Sequence, residues 1–180
     1  MKRYLAVMSS LLLLAAASPA SANLDVFACE PEWAALVTEL GGKKVKVYTA
    51  TTALQDPHHI QARPSLIAKV RRAELEICSG AELEIGWLPM LLRKASNPAV
   101  MPGKPGHFEA SRFVERLEVP EALDRSMGDV HASGNPHVHL DPHRLLQIAA
   151  ALNKRLAEID PTGTVYYQQR LNNFTTRWQQ

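Results

Sequence analysis

The chain has 180 residues, 46% hydrophobic and 21% charged, which is enough apolar material for one ordinary core. Its formal charge of +2 comes from Lys2 and Arg3 at the extreme N-terminus; the remainder balances 18 basic against 18 acidic side chains. There is no basic stripe interleaved with aromatics, so nucleic-acid binding has no support, and no H-E-x-x-H, G-x-S-x-G, phosphate-loop or dinucleotide pattern points to the common hydrolases or dehydrogenases.

Residues 1–22 read as a secretory signal peptide: a charged start, an apolar run from Leu5 to Ala17, and Ala20-Ser21-Ala22 as a small-x-small cleavage site. The run is too short for a membrane span, so no stable membrane insertion is expected after cleavage near Ala22. Leu24–Cys29 is a short apolar run that reads as a buried first strand, and Pro31 suits the first turn of the helix that follows. Trp33, Leu36, Val37 and Leu40 recur at helical spacing until Gly41-Gly42, and Lys44–Thr49 alternates as a second strand. A strand–helix–strand crossover implies a parallel pair. A loop from Ala50 to Arg63 precedes a helix beginning at Pro64, and Leu75–Cys78 is the third strand. Trp87–Ala95 is expected to be helical, Pro98–Met101 a short fourth strand, Lys104–Phe108 turn-rich, and Ala110–Leu117 one or two helical turns. Asp141-Pro142 is a strong helix start for the apolar face Leu145–Ile159, Asp160–Gly163 breaks that helix, and a further helical pattern runs from Thr164 to Gln180. The fold class is therefore α/β, a small mostly parallel sheet flanked by helices, with ligands expected at the loops leaving the strand C-termini.

Five of the seven histidines sit in two stretches, Gln55–Pro64 within the first loop and a second histidine loop, Gly128–Pro142. Asp56-Pro57-His58 and Asn135-Pro136-His137 share one design: a short polar residue that can bond its own backbone, a proline that fixes φ, then a histidine. An isolated loop histidine is ordinary polar surface, but two matched loops with His59, His131 and His139 beside them point to binding of zinc or a neighbouring first-row ion. His139, two residues after His137, would point to the opposite side if the segment is extended. His131, behind a flexible Ala-Ser-Gly, can swing toward the same ion. Glu82 is a candidate to line the cleft and hold the far nitrogen of a ligating histidine, Glu84 reads as a surface carboxylate, and His107 as a solvated turn residue. Asp141 is better explained as a helix cap than as a ligand. Cys29 and Cys78 each end a strand-like run; adjacent parallel strands would allow a disulfide, and two buried thiols are the alternative. A catalytic reading is left with Cys78 and the loop histidines as a metalloenzyme or thiol/redox pair, which nothing in the sequence orients.

With E-P-E-W-A-A-L-V-x-E-L-G-G (Glu30–Gly42), A-L-Q-D-P-H-H-I-Q-A-R-P-S (Ala53–Ser65), G-A-E-L-E-x-x-W (Gly80–Trp87) and G-N-P-H-V-H-L-D-P (Gly134–Pro142) in view, the sequence resembles the solute-binding proteins of bacterial zinc/manganese ABC transporters, the cluster A-I class. The resemblance begins at Leu24 and covers the rest of the chain. It implies two α/β lobes joined by a long helix with the metal between them, so residues 23–161 would be the N-terminal lobe and residues 162–180 the start of the linking helix, with the second lobe absent. It implies metal ligands at His58 and His137, Zn(II) as the transported ion with Mn(II) as its competitor, an inner-membrane ABC permease as partner, a metallochaperone as a further candidate partner, a periplasmic location, and no enzymatic activity. The sequence departs from the family pattern where His139 replaces the usual aromatic two residues after the second histidine, and where the acidic, His-rich loop of many zinc-specific members is missing.

Overall fold

The computed structural model describes residues 23–122 and 131–180; the expected leader and residues 128–130 of the second histidine loop lie outside them. Four strands, β1 (Leu24–Ala28), β2 (Val45–Thr49), β3 (Leu75–Cys78) and β4 (His107–Glu109), form one sheet of order β2-β1-β3-β4 with every pair parallel. Helices α1 (Pro31–Gly41), α2 (Pro64–Val70), α3 (Leu88–Ala95), α4 (Pro142–Ile159) and α5 (Thr164–Trp178) cover both faces.

The period-2 alternation of the strands sorts the core into two layers. Leu24, Val26 and Ala28 of β1 and Leu75 and Ile77 of β3 turn to the face where Trp33, Leu36, Val37 and Leu40 of α1 meet Ile148, Leu152 and Leu156 of α4 and Tyr167 and Phe174 of α5. Phe27, Cys29 and Cys78 turn to the other face, against Leu66 and Val70 of α2 and Leu91 and Leu92 of α3. Pro31, Pro64 and Pro142 each open their helix, where the missing N–H costs nothing. Gly42 closes α1 at φ +51° and returns its N–H to the Thr38 carbonyl, a conformation that a side chain resists. Asp141 caps α4 by accepting from the backbone N–H groups of His143 and Arg144.

Two expectations need correction. The fourth strand is His107–Glu109, not Pro98–Met101, where Pro98–Val100 forms a 3-10 turn capped by Asn97. Proline cannot donate to a ladder, whereas His107-Phe108-Glu109 pairs in register with Glu76-Ile77-Cys78. His107 is therefore not solvated. Its side chain is 6% exposed, and its Nδ1 lies 2.6 Å from the buried Glu76 carboxylate. Burial works against the charge on His107, but Glu109 and Glu76 outweigh it and raise the imidazole to about 9.

Because β2 and β3 flank β1 on opposite sides, the strand order reverses at the β1/β3 boundary, where doubly wound sheets open a crevice at their carboxyl ends. Cys29 and Cys78 close that crevice. They are the next register neighbours after Ala28↔Ile77, their Cα atoms are 4.9 Å apart, and they form a disulfide. The two-thiol alternative is thereby set aside.

Candidate metal site

The loop that follows β2 carries His58, and its base is clamped to the sheet edge. Ala50 and Thr51 donate their backbone N–H groups to the Ala28 and Cys29 carbonyls. Further along, the buried Trp87 donates its indole N–H to the Pro57 carbonyl at 2.8 Å. Gly86 lies against the His58 backbone, and a Cβ there would come within 3.0 Å of the His58 carbonyl oxygen.

The Asp56-Pro57-His58 design does two things. Asp56 Oδ1 accepts the His58 backbone N–H at 2.9 Å, closing an Asx turn, and the same oxygen lies 2.7 Å from His58 Nδ1. These bonds, the backbone one first, hold the Asp56 carboxyl below its usual range. An ionised carboxylate can only accept, so His58 Nδ1 carries a proton and Nε2 is the nitrogen available to a metal. That nitrogen faces His131 Nε2 at 3.1 Å, with the rings 5.2 Å apart and 21° from parallel. The ring partner on Asp56 went unnoticed in the sequence, where this residue reads only as a turn former; an Asp two positions before a histidine is the signal that could have found it.

Asn135-Pro136-His137 repeats the turn: Asn135 Oδ1 accepts the His137 backbone N–H at 2.9 Å. Asn135 is in turn held by Glu118 through its amide and by the Leu117 carbonyl through its backbone N–H. His137 is exposed, with its ring edge against that of His139 at 5.9 Å. The segment is not extended, because Val138–Leu140 forms a 3-10 turn, so the expected opposite-side placement of the two rings gives way to this contact. His139 lies edge-on to Trp33 and 3.4 Å from Glu32. Burial, against the pull of Glu32, lowers its proton affinity, so it packs as a neutral ring against Trp33. His59 is 84% exposed, with Nε2 3.9 Å from Asp56 and its ring 6.2 Å from that of His58.

Glu82 does not hold a histidine nitrogen. Its carboxylate accepts from the Ala132 backbone N–H and the Ser133 hydroxyl, pinning the loop that carries His131. Glu84 is a clearer correction, since the expected surface carboxylate is 2% exposed and accepts from the backbone N–H groups of Ser79 and Gly80. Beside it lies Glu30, 3% exposed, with Ser79 linking it to the Trp33 indole. Burial, then the charge of Glu84, pushes the Glu30 carboxyl far above the usual carboxylate range, to about 10, so it holds a proton at neutral pH.

That shift has a stability consequence. An unfolded Glu30 ionises near 4.5, whereas the folded one stays protonated to about 10, so the native state binds the extra proton across that window. Stability is full below the lower value and falls as pH rises toward the upper one, by at most about 1.4 kcal/mol per pH unit for one proton. Glu30→Gln, which keeps the donor but cannot ionise, is expected to flatten this slope and to be the more stable protein at pH 8. Urea midpoints at pH 5 and pH 8 measure it; an unchanged slope would show that Glu30 ionises normally.

Comparisons with known proteins give this geometry its context. The family model described as "Zinc-uptake complex component A periplasmic" matches residues 26–180. The metal ABC transporter substrate-binding lipoprotein SloC of Streptococcus mutans is 25% identical over 161 residues, covering 88% of this chain and 49% of its own length. The manganese ABC transporter substrate-binding lipoprotein PsaA of Streptococcus pneumoniae is 23% identical over 178 residues, covering 94% of this chain and 54% of its own. The chain thus spans about half the length of the curated relatives it matches. Among solved structures, a crystal structure of ZnuA superposes with a TM-score of 0.71 at 24% identity, over 87% of this chain and 56% of that one. The manganese-bound periplasmic metal-binding protein of Candidatus Liberibacter asiaticus superposes with a TM-score of 0.67 at 18% identity, over 84% and 52%. At these identities the superpositions establish the fold.

Proposed function

The chain belongs to the family of the periplasmic zinc-uptake complex component A, and on that premise we propose that it is the metal-capturing lobe of an extracytoplasmic solute-binding protein that takes up Zn(II) and hands it to an ABC permease in the inner membrane. The observation that carries this reading is His58: Asp56 fixes its tautomer from behind, and its unprotonated Nε2 faces a second imidazole across 3.1 Å. A carboxylate on the far nitrogen is the usual support of a metal-binding histidine, raising its basicity and fixing its plane. His137, held by the matching Asx turn, is the second ligand carried over from the family pattern. Exposed Leu54, Ile85 and Leu140 give the three neighbouring loops an apolar rim, which the facing lobe of a two-lobe protein would cover.

Zinc is favoured over manganese because the donors are imidazoles, whereas manganese prefers carboxylate and carbonyl oxygens. Relatives named for manganese make it the second cargo to test. The protein acts outside the inner membrane after loss of a leader ending near Ala22; none of the described helices is long and apolar enough to cross a membrane. A metallochaperone that loads the site remains a candidate partner. The rival thiol or metalloenzyme reading has little to act with, because Cys78 is fully buried and bonded to Cys29.

Equilibrium dialysis of the chain against zinc and against manganese tests the proposal. One zinc per chain, held weakly and lost in the His58→Ala/His137→Ala double variant, is the expected result. Zinc retained by that variant, or none held by the wild type, would refute the site.

A further inference from the structure

We propose that His131 ligates the same ion as His58 and tilts the site toward zinc; this rests on the reading of His58 as a ligand. His131 lies outside the two-histidine set that the family pattern supplies, and the argument for it comes from geometry. His58 Nδ1 is committed to Asp56, so Nε2 is the nitrogen left for a metal, and it lies 3.1 Å from His131 Nε2. With zinc–nitrogen bonds of about 2.0–2.1 Å, two donors at that separation subtend about 95–100° at a shared ion, and the pair opens to the tetrahedral angle by parting to about 3.3 Å. The two nitrogens already stand where one cation would draw them.

The loop is built to keep His131 there. Glu82 fastens the two residues after it through the Ala132 N–H and the Ser133 hydroxyl. Gly134 closes the turn by donating to the His131 carbonyl at 3.0 Å, with φ at +92° and no room for a Cβ, which would come within 2.8 Å of the Leu117 carbonyl oxygen. Glu82 and its neighbour Ala81 themselves adopt positive φ, at 71° and 48°. Non-glycine residues hold such angles at a cost only where surrounding bonds require it. Here the strained pair aims a carboxylate at the His131 loop, making Glu82 a positioning residue rather than a ligand. His58 and His131 then give one ion two imidazoles, donors better suited to zinc than to manganese, while His137 is not gathered with them: among the described residues no three histidines lie close enough to share an ion.

The test measures zinc and manganese affinity by competition with a chelator, and the number of bound imidazoles by X-ray absorption at the zinc edge. His131→Ala is expected to lower zinc affinity about tenfold or more, to change manganese affinity less, and to remove one imidazole from the zinc shell. Glu82→Ala is expected to weaken zinc binding in the wild-type background but to add nothing to His131→Ala, which a general loss of structure would not do. As a check that needs no variant, zinc should protect His131 of the wild type from diethylpyrocarbonate. Unchanged zinc affinity and imidazole count in His131→Ala, or no protection of His131, would overturn the proposal while leaving metal capture intact. Zinc binding that survives His58→Ala would instead overturn the reading beneath it.

Discussion

Replacing His58 by alanine is expected to lower zinc affinity by well over about 100-fold, and replacing Asp56 by alanine by about 10–100-fold. The order follows from what each residue does. In the proposed site His58 offers the lone pair; Asp56 decides which nitrogen offers it, through the 2.7 Å contact with Nδ1, and sets the loop through the 2.9 Å bond to the backbone N–H. Removing an outer carboxylate behind a ligating histidine commonly costs 10–100-fold in metal affinity, and losing the ligand itself must cost more. Asp56→Asn separates the two roles: it keeps an oxygen for the Asx turn but loses the charge, so its affinity should fall between those of the wild type and Asp56→Ala. Competition with a chromophoric chelator measures all three. An Asp56→Ala protein that binds zinc like the wild type would show that the Asp56–His58 contact does not prepare the ligand.

The second large effect is on stability. Removing the Cys29–Cys78 disulfide in a Cys29→Ala/Cys78→Ala variant is expected to cost about 4 kcal/mol, from the loop entropy released when a cross-link spanning 49 residues is lost. Against a typical total of about 5–15 kcal/mol this is a large share, and for a chain of this size it corresponds to a melting temperature lower by about 8–16 °C. The position of the bridge adds a functional consequence. It ties β1 to β3 at the point where the strand order reverses, and the Cys29 carbonyl accepts both the Thr51 backbone N–H and the Thr51 hydroxyl at the root of the His58 loop. Thermal unfolding of the two proteins checks the stability, and zinc titration of the folded variant checks the site. A change below about 1 kcal/mol would mean that the unfolded chain is constrained in some other way.

Much of this architecture was legible in the residues. The strand–helix–strand order, the three helix-opening prolines and the Asp141 cap are local signals, set by a ring, a missing N–H or an oxygen two residues away. The matched Asp-Pro-His and Asn-Pro-His turns were legible for the same reason, and both close as Asx turns. What escaped was long-range. His107 reads as a solvated turn because its partner Glu76 lies on another strand, and Glu84 reads as surface because its burial comes from packing beside Glu30, far back in the chain. Glu30 was only a helix boundary until burial placed it against Glu84. His131 was already a candidate for the same ion, but its contact with His58 joins residues 73 positions apart and depends on Glu82 holding a third stretch of chain, which only the fold shows. No periodicity announces a contact assembled from three loops.

Anomalous diffraction at the zinc edge from crystals of the zinc-loaded protein tests the central claim most directly. A single dominant peak about 2 Å from His58 Nε2 is the predicted result. A peak elsewhere would contradict it, above all at the buried group of Cys29, Cys78 and Glu84, whose potential donor atoms lie within 4.8 Å of one another.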